Sequence, residues 1–175
     1  IGAIIERHVP ASEHRTLLEA GCGCGVLTPH FLDMGFDVTA IDFSAKAIAH
    51  AKESAPGARF QVASLSDFKL KERFDAIAVI DVLLHIVDAS AWRAALVSLA
   101  RHLKPEGTLI LLDTLRDVEG SPPHCRFRPL DHYRHAFADL GLEIVEHTTF
   151  HLQQENAVKD LLAVKRSVAD PGANV

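Results

Sequence analysis

Basic charge and cysteine are both scarce in this chain. Lysine and arginine together number 18 against 23 acidic residues, a net charge of −5 over 175 residues. A nonspecific hold on nucleic acid needs a basic face, so nucleic acid is not an expected partner. Cysteine occurs three times, as Cys22, Cys24 and Cys125, with two of the three crowded into one glycine loop. That odd count is no disulfide framework, and a reducing cytoplasm is the expected setting. Hydrophobic residues make up 48% of the chain, yet no run approaches the roughly 18 apolar residues a membrane helix needs, so no membrane is expected. Ile1–Pro10 carries Glu6, Arg7 and His8 where a secretory signal would be apolar. The chain opens on Ile1 and not on Met, so an upstream segment is expected. No repeat, linker or low-complexity tract divides residues 1–175. They are expected to form a single domain, long enough to bury a substantial core. Nothing in the composition sets the oligomeric state.

What the chain does have is an alternation of short apolar runs with helix-like stretches. Ile1–Val9 reads as a helix, and Thr16–Ala20 as a strand that ends in glycines. Val26–Met34 is helix-like, with Pro29 tolerated in a first turn and Gly35 closing it. Asp37–Ile41 is a second strand, and Ser44 is placed to cap a helix over Ala45–Glu53. Arg59–Ala63 and the almost wholly apolar Phe74–Ile80 are the third and fourth strands. Such runs suit parallel strands buried on both faces. An amphipathic helix over Ser90–Leu103 is stopped by Lys104-Pro-Glu-Gly107, and Thr108–Asp113 is a fifth strand. Leu115–Pro129 contains Gly120, Pro122, Pro123 and Pro129 and reads as a long loop, which in a compact domain is usually functional or disordered. Leu130–Leu140 is a helix closed by Gly141. Leu142–Phe150 and Val158–Lys165 are two last strands, joined by a turn around Gln153–Asn156. Strand–helix alternation predicts an α/β fold with helices on both faces of a parallel sheet, and the closing strand pair predicts an antiparallel edge.

Glu19-Ala-Gly-Cys-Gly-Cys-Gly25 follows a strand and opens a helix. Glycine there lets the backbone turn sharply and lets a ligand approach main-chain N–H groups. A dinucleotide fingerprint, G-x-G-x-x-G, needs glycine at position 26, where Val26 stands. Instead the spacing is G-x-G-x-G, over Gly21, Gly23 and Gly25, with Glu19 two residues ahead. Seventeen positions after Gly25, at the end of the second strand, comes Asp42. A carboxylate there accepts ribose hydroxyl protons, a contact worth on the order of 1.5–3 kcal/mol per charge-assisted bond.

With these residues the chain resembles the class I S-adenosylmethionine-dependent methyltransferases. The match runs through Leu17-Leu-Glu-Ala-Gly-Cys-Gly-Cys-Gly-Val-Leu-Thr28, Val38-Thr-Ala-Ile-Asp-Phe-Ser44, Phe74–His85 and Leu103-Lys-Pro-Glu-Gly-Thr-Leu109. The resemblance implies a Rossmann-like sheet of seven strands in the order 3-2-1-4-5-7-6, with strand 7 antiparallel. It implies S-adenosyl-L-methionine as cofactor. Glu19 would then orient the loop and reach the methionine ammonium, directly or through water. Backbone at Gly21, Cys22 and Gly23 would line the methionine and ribose portion, on a loop that Gly25 completes. Asp42 would hold the ribose, Phe43 would lie against adenine, and Asp81 and Val82 would meet the methionine end through their carbonyls. After the third strand relatives usually carry an Asp for the adenine amino group. Ser64 stands there instead, followed by Leu65, with Asp67 three residues on and placed to reach back.

Other clusters carry less. Cys22-x-Cys24 has no second pair at zinc spacing. His132 and His135, with His124 and Cys125 upstream, read as a solvated helix face, so no metal is expected. Trp92 reads as helix packing. His85 follows the fourth strand, beside the place where the resemblance puts methyl transfer, and is a candidate base or orienting donor. The loop Leu115–Pro129, with Arg116, His124, Arg126 and Arg128, should overhang the same end of the sheet, and His124 is a second candidate base. Asp81-Val-Leu-Leu-His85 is similar to the small-molecule branch, not to the Asn-Pro-Pro-Tyr-like runs of base and amide methylators. The expected activity is methyl transfer to an oxygen or nitrogen of an unidentified small molecule. Two alternatives stand beside it: a non-catalytic adenosylmethionine-binding or interaction domain, and a nicotinamide-binding oxidoreductase.

Overall fold

The computed structural model describes residues 1–118, 122–152 and 157–167. In chain order the elements are α1 (Gly2–His8), β1 (Arg15–Ala20), α2 (Thr28–Asp33), β2 (Phe36–Asp42), α3 (Ala45–Ser54), β3 (Arg59–Val62), β4 (Phe74–Ile80), α4 (Ala89–His102), β5 (Leu103–Asp113), α5 (Leu130–Ala138), β6 (Leu142–Leu152) and β7 (Ala157–Arg166). The strands form one seven-stranded sheet in the order β3-β2-β1-β4-β5-β7-β6. β1 to β5 pair in parallel, and β7 runs antiparallel to both β5 and β6. Strand order and the reversed strand both match the expectation. The chain has the Rossmann-like α/β fold.

Successive side chains of a strand point to opposite faces, so a strand covered on both sides must be apolar at every position. β4 meets that demand from Ala76 to Ile80. Ile77 and Val79 join a core with Trp92 and Leu96 of α4 and Tyr133 and Phe137 of α5. Ala76 and Ala78 join a second core with Ile4 and Ile5 of α1 and Phe31 of α2. On β2, Ala40 packs against Ile48 of α3 and Cys22 of the glycine loop. Helices therefore cover both faces. Each large side chain buried this way is worth about 1.5–3 kcal/mol relative to exposure. Two helix starts are fixed by the side chain before them: Ser44 Oγ accepts from Ala47 N at 3.2 Å and Asp88 Oδ1 from Ala91 N at 2.8 Å.

Three boundaries differ from expectation. α2 begins at Thr28 and not at Val26, because Gly25 sits at φ +77° and the turn it starts runs on to Leu27. Val26 is left 81% exposed. Lys104–Gly107 does not separate α4 from β5 but belongs to the strand, whose ladder with β4 shifts register between Phe74 and Ala76. A Cβ on Gly107 would lie 2.8 Å from the Phe74 carbonyl oxygen, so glycine is what lets the strands close there. A short 3-10 turn, Leu83–His85, follows β4 where no element was expected. The described part of Leu115–Pro129 holds neither helix nor strand, and the turn around Gln153–Asn156 lies outside the described residues. No described helix is long and apolar enough to cross a membrane.

Candidate functional site

In a parallel sheet, clefts open beyond the carboxyl ends of the strands. The glycine loop lies there, after β1. Gly21 N and Cys22 N both donate to the Ile41 carbonyl of β2, at 2.8 and 3.0 Å, and Gly25 N donates to Cys22 O at 3.0 Å. The glycines do different work. A Cβ on Gly21 would fall 2.5 Å from Val82 Cγ2, so its absence lets the loop meet the residues after β4. A Cβ on Gly25 would lie 2.9 Å from Ala51 Cβ, so this glycine admits α3 and shapes the loop from behind. A Cβ on Gly23 would meet nothing within 4 Å, which leaves open space over the loop.

Asp42 ends β2 and holds this loop. Its Oδ2 accepts from Gly23 N and its Oδ1 from Ser44 N, each at 2.9 Å. Each carboxylate oxygen has a second lone pair, so both remain able to accept from a ligand. Glu19 is buried beneath the loop, where its Oε2 accepts from Thr28 Oγ at 2.6 Å. The one side-chain bond it makes among the described residues is through that oxygen, and burial pushes the carboxyl up to about 7 against the opposing effect of Thr28. Such a carboxyl is suited to a cation. Burial, reinforced by Glu19 and Asp42, pushes the Cys22 thiol up to about 12, so it is no ready thiolate for metal or nucleophilic chemistry. Phe43 stands 80% exposed, an aromatic face uncovered by the protein.

A cavity of about 670 Å³ runs along these strand ends. Of the predicted positions it brings together Gly21, Asp42, Phe43, Ser64, Leu65, Asp81, Val82, His85 and His124. Glu19, Cys22, Gly23 and Gly25 are not part of its lining and support it from the loop. Ser64 Oγ accepts only a long bond from Ser66 N, 3.3 Å, and is free to turn to a ligand. Asp67 lines a separate groove with Lys69 and Arg101, so it does not reach back to the cavity as expected. Asp81 has φ +54°, a left-handed conformation costing a non-glycine residue on the order of 1 kcal/mol. Lys159 of β7 donates to its Oδ1, and Asp81 N donates to Leu112 O at 2.8 Å. The strain turns the chain sharply away from β4 and lays Val82 against the glycine loop.

The far part of the cavity is built by long-range bonds. Buried Asp113, at the end of β5, accepts from Leu84 N at 3.1 Å and Thr114 N at 2.7 Å, which fixes the 3-10 turn carrying His85. Burial pushes this carboxyl up to about 6. The long loop is tied to the same turn by Arg126 N donating to Leu84 O at 2.7 Å. Arg128 does not face solvent: it is buried, donates to Ile86 O at 2.9 Å, and lies 4.7 Å over the Trp92 ring. Arg116 is drawn to Asp160, at 2.7 Å. These contacts place His124 beside His85, the rings near-parallel at 12° with centroids 6.1 Å apart. His132 and His135 stay on the exposed side of α5, apart from this pair. Ser66, Ile80, Ile86, Val87 and Asp88 also line the cavity and were not foreseen. Their one sequence signal is position, at the carboxyl end of β4 or just after β3 and β4.

Residues 17–107, just over half of the chain, match the family described as Methyltransferase domain. Among curated proteins the chain is 29% identical over 112 residues to a dTDP-3-amino-3,6-dideoxy-alpha-D-glucopyranose N,N-dimethyltransferase of Streptomyces fradiae, which covers 63% of this chain and 43% of that protein. It is 35% identical over 97 residues to a ubiquinone biosynthesis O-methyltransferase of Nitrobacter winogradskyi, covering 53% of this chain and 36% of that one. The matched stretch thus spans less than half the length of these relatives. Among solved structures it is similar to the 1,6-didemethyltoxoflavin-N1-methyltransferase of Burkholderia thailandensis, with a TM-score of 0.77, 19% identity, and coverage of 95% of this chain and 76% of that one. That structure holds 1,6-didemethyltoxoflavin and S-adenosylhomocysteine.

Proposed function

Because the chain belongs to the Methyltransferase domain family, we propose that it is an S-adenosylmethionine-dependent enzyme that moves a methyl group to an oxygen or nitrogen of a small molecule. The observation that supports this most is the single cavity that collects Asp42 and Phe43 from beyond β2, His85 from beyond β4 and His124 from the loop after β5. The two sets stand on opposite sides of β1 in the sheet. Space for a nucleoside and space for an acceptor are therefore continuous.

The residues fit the cofactor. Asp42 accepts from the ribose hydroxyls while its bonds to Gly23 and Ser44 keep it oriented. Phe43 covers adenine, and Ser64 and the Leu65 main chain meet its polar edge. The main chain of Gly21, Cys22 and Gly23, shaped by Gly25, lies along ribose and methionine, and the open space over Gly23 accommodates them. Glu19 offers its unpartnered oxygen to the methionine ammonium, and the carbonyls of Asp81 and Val82 close that end. When bound, the cofactor supplies a methyl already activated on cationic sulfur, with a neutral thioether as leaving group. What remains for the protein is to align the acceptor, and such alignment contributes about 7–11 kcal/mol. Where the acceptor must lose a proton, His85 or His124 accepts it, adding roughly 10²–10⁴-fold.

Three free cysteines suit a cytoplasmic setting. The G-x-G-x-G spacing, together with family membership, stands against a nicotinamide oxidoreductase. Calorimetric titration with S-adenosylhomocysteine and with NAD tests the assignment, and micromolar binding of the first alone is expected. Asp42→Ala should weaken that binding by about 1.5–3 kcal/mol, roughly ten- to a hundredfold. Equal affinities would remove Asp42 from the ribose. Tight cofactor binding with no methyl transfer to any of a panel of phenols, amines and amino sugars would favour a non-catalytic binding domain.

A further inference from the structure

We propose that His85, His124 and Cys125 form a site for a divalent transition metal of the zinc type at the acceptor end of the cavity. One ligand atom from each, a ring nitrogen from either histidine and the cysteine sulfur, lies within 4.8 Å of the other two. Cys125 Sγ stands 3.6 Å from His85 Nδ1. Two ligands at about 2.3 Å (sulfur) and about 2.05 Å (nitrogen) from a tetrahedral ion lie roughly 3.6 Å apart. The sulfur–nitrogen pair is thus already at ligand spacing, and His124 brings a third ligand atom within 4.8 Å of both.

A thiol hydrogen bond alone would also give that distance, so the rest of the setting decides. The three residues come from two separate segments, and these are fastened to each other by main-chain bonds. Arg126 N donates to Leu84 O at 2.7 Å, one residue from Cys125 on one side and one from His85 on the other. Cys125 N donates to Pro122 O at 2.8 Å, which closes the turn holding His124. Arg128 then bridges the loop to the 3-10 turn, donating to Ile86 O at 2.9 Å and Arg126 O at 3.2 Å. Ligands held by their backbones lose little freedom on capture, and the chemistry is consistent: imidazole and thiolate select zinc, cobalt or copper over magnesium and calcium. Burial holds the Cys22 thiol protonated, and among the described residues neither Cys22 nor Cys24 joins a cluster of three ligating side chains.

Both histidines line the cavity and Cys125 does not, so three ligands would close one side and leave a coordination position toward the acceptor space. Three protein ligands with one open position is the arrangement of catalytic zinc. That the open position receives an acceptor heteroatom rests on the methyl-transfer reading, and with the metal bound His85 and His124 serve as its ligands in place of proton acceptors; metal capture itself does not rest on that reading.

The test is a titration of the reduced protein with Co²⁺ under argon, read by visible d–d bands and near-ultraviolet thiolate charge transfer, then reversed with Zn²⁺. Saturation at one equivalent is expected. Cys125→Ser should erase the charge-transfer band. His85→Asn and His124→Asn should each weaken affinity by more than the roughly tenfold to hundredfold that an outer partner is worth. All three side chains are at least partly exposed, and circular dichroism checks that each variant folds. No saturable uptake, or a band that survives Cys125→Ser and is lost in Cys22→Ser or Cys24→Ser, would overturn the site. S-adenosylhomocysteine titration of the same samples separates the two proposals: cobalt without cofactor binding sinks only the methyl-transfer reading, and cofactor without cobalt only the metal.

Discussion

Glu19 links cofactor binding to protons in a way that calorimetry resolves. Its carboxyl is 4% exposed, hydrogen-bonded to Thr28 through one oxygen, and pushed by burial up to about 7. An unfolded Glu titrates near 4.3, so between those values the folded protein holds the extra proton. Stability from this group is thus highest below about pH 4.3 and falls as pH rises through 7, by at most about 4 kcal/mol. A bound ammonium reverses the preference and returns the carboxyl to its ionised form. For a group with its midpoint at 7, about nine-tenths is protonated at pH 6 and about a quarter at pH 7.5. S-adenosylhomocysteine should therefore release about 0.9 proton at pH 6 and about 0.2 at pH 7.5, and bind about eightfold more tightly at the higher pH. Titrations in two buffers of different ionisation enthalpy give the proton count directly. Glu19→Gln keeps an acceptor for Thr28 and removes the charge. It should abolish the release, flatten the pH dependence, weaken binding at pH 7.5 roughly ten- to a hundredfold, and raise the melting temperature of the ligand-free protein at that pH. Binding without proton release in the native protein would mean that Glu19 only braces the loop.

Gly23→Val should leave the circular dichroism spectrum largely intact while abolishing S-adenosylhomocysteine binding, because its side chain fills the open space over the loop and, at φ +53°, a β-branched residue also strains the loop itself. Loss of fold together with binding would make the loop chiefly structural. Ser64→Ala should cost about 0.5–1.5 kcal/mol of cofactor affinity, the net worth of one neutral hydrogen bond, and Ser64→Asp should hold or tighten it. Asp67→Ala should be silent in the same assay, since Asp67 faces the other groove; a loss there would show that the loop rearranges on binding.

How much of this was legible in the sequence divides along the cavity. The loop over Glu19–Gly25, the acid Asp42 and the aromatic Phe43 lie on contiguous stretches where residue type and backbone need coincide. Glycine is demanded where φ is positive, and the acid comes where β2 ends. Buried strands announced themselves as apolar runs because both faces are covered. The boundaries that escaped were governed by partners far along the chain. Lys104-Pro-Glu-Gly107 has the composition of a turn, yet Leu103 pairs with Phe74 and carries it into β5. The 3-10 turn Leu83–His85 has no capping side chain of its own and is held by Asp113, 29 residues away from Leu84. Cys125 was set beside His132 and His135 by nearness in sequence, whereas its neighbour in space is His85, 40 residues back.

Arg128 shows why that second half resists a local reading. Its guanidinium is buried without a carboxylate at ion-pair distance among the described residues, and burial lowers its proton affinity. A buried cation is costly unless its donors are all taken. Here Nη1 donates to the Arg126 carbonyl on one segment and Nη2 to those of Ile86 and Val87 on the other, with Trp92 beneath as a π face. Such contacts offset desolvation; their specific yield is geometry, since one rigid fork sets two chain segments relative to each other. The separation of His85 and His124 is therefore governed by an arginine that is absent from the cavity lining. On the methyl-transfer proposal, Arg128→Met should therefore change the KM for the acceptor while leaving S-adenosylhomocysteine affinity within about twofold, because it shifts the segment carrying His124 and not the glycine loop.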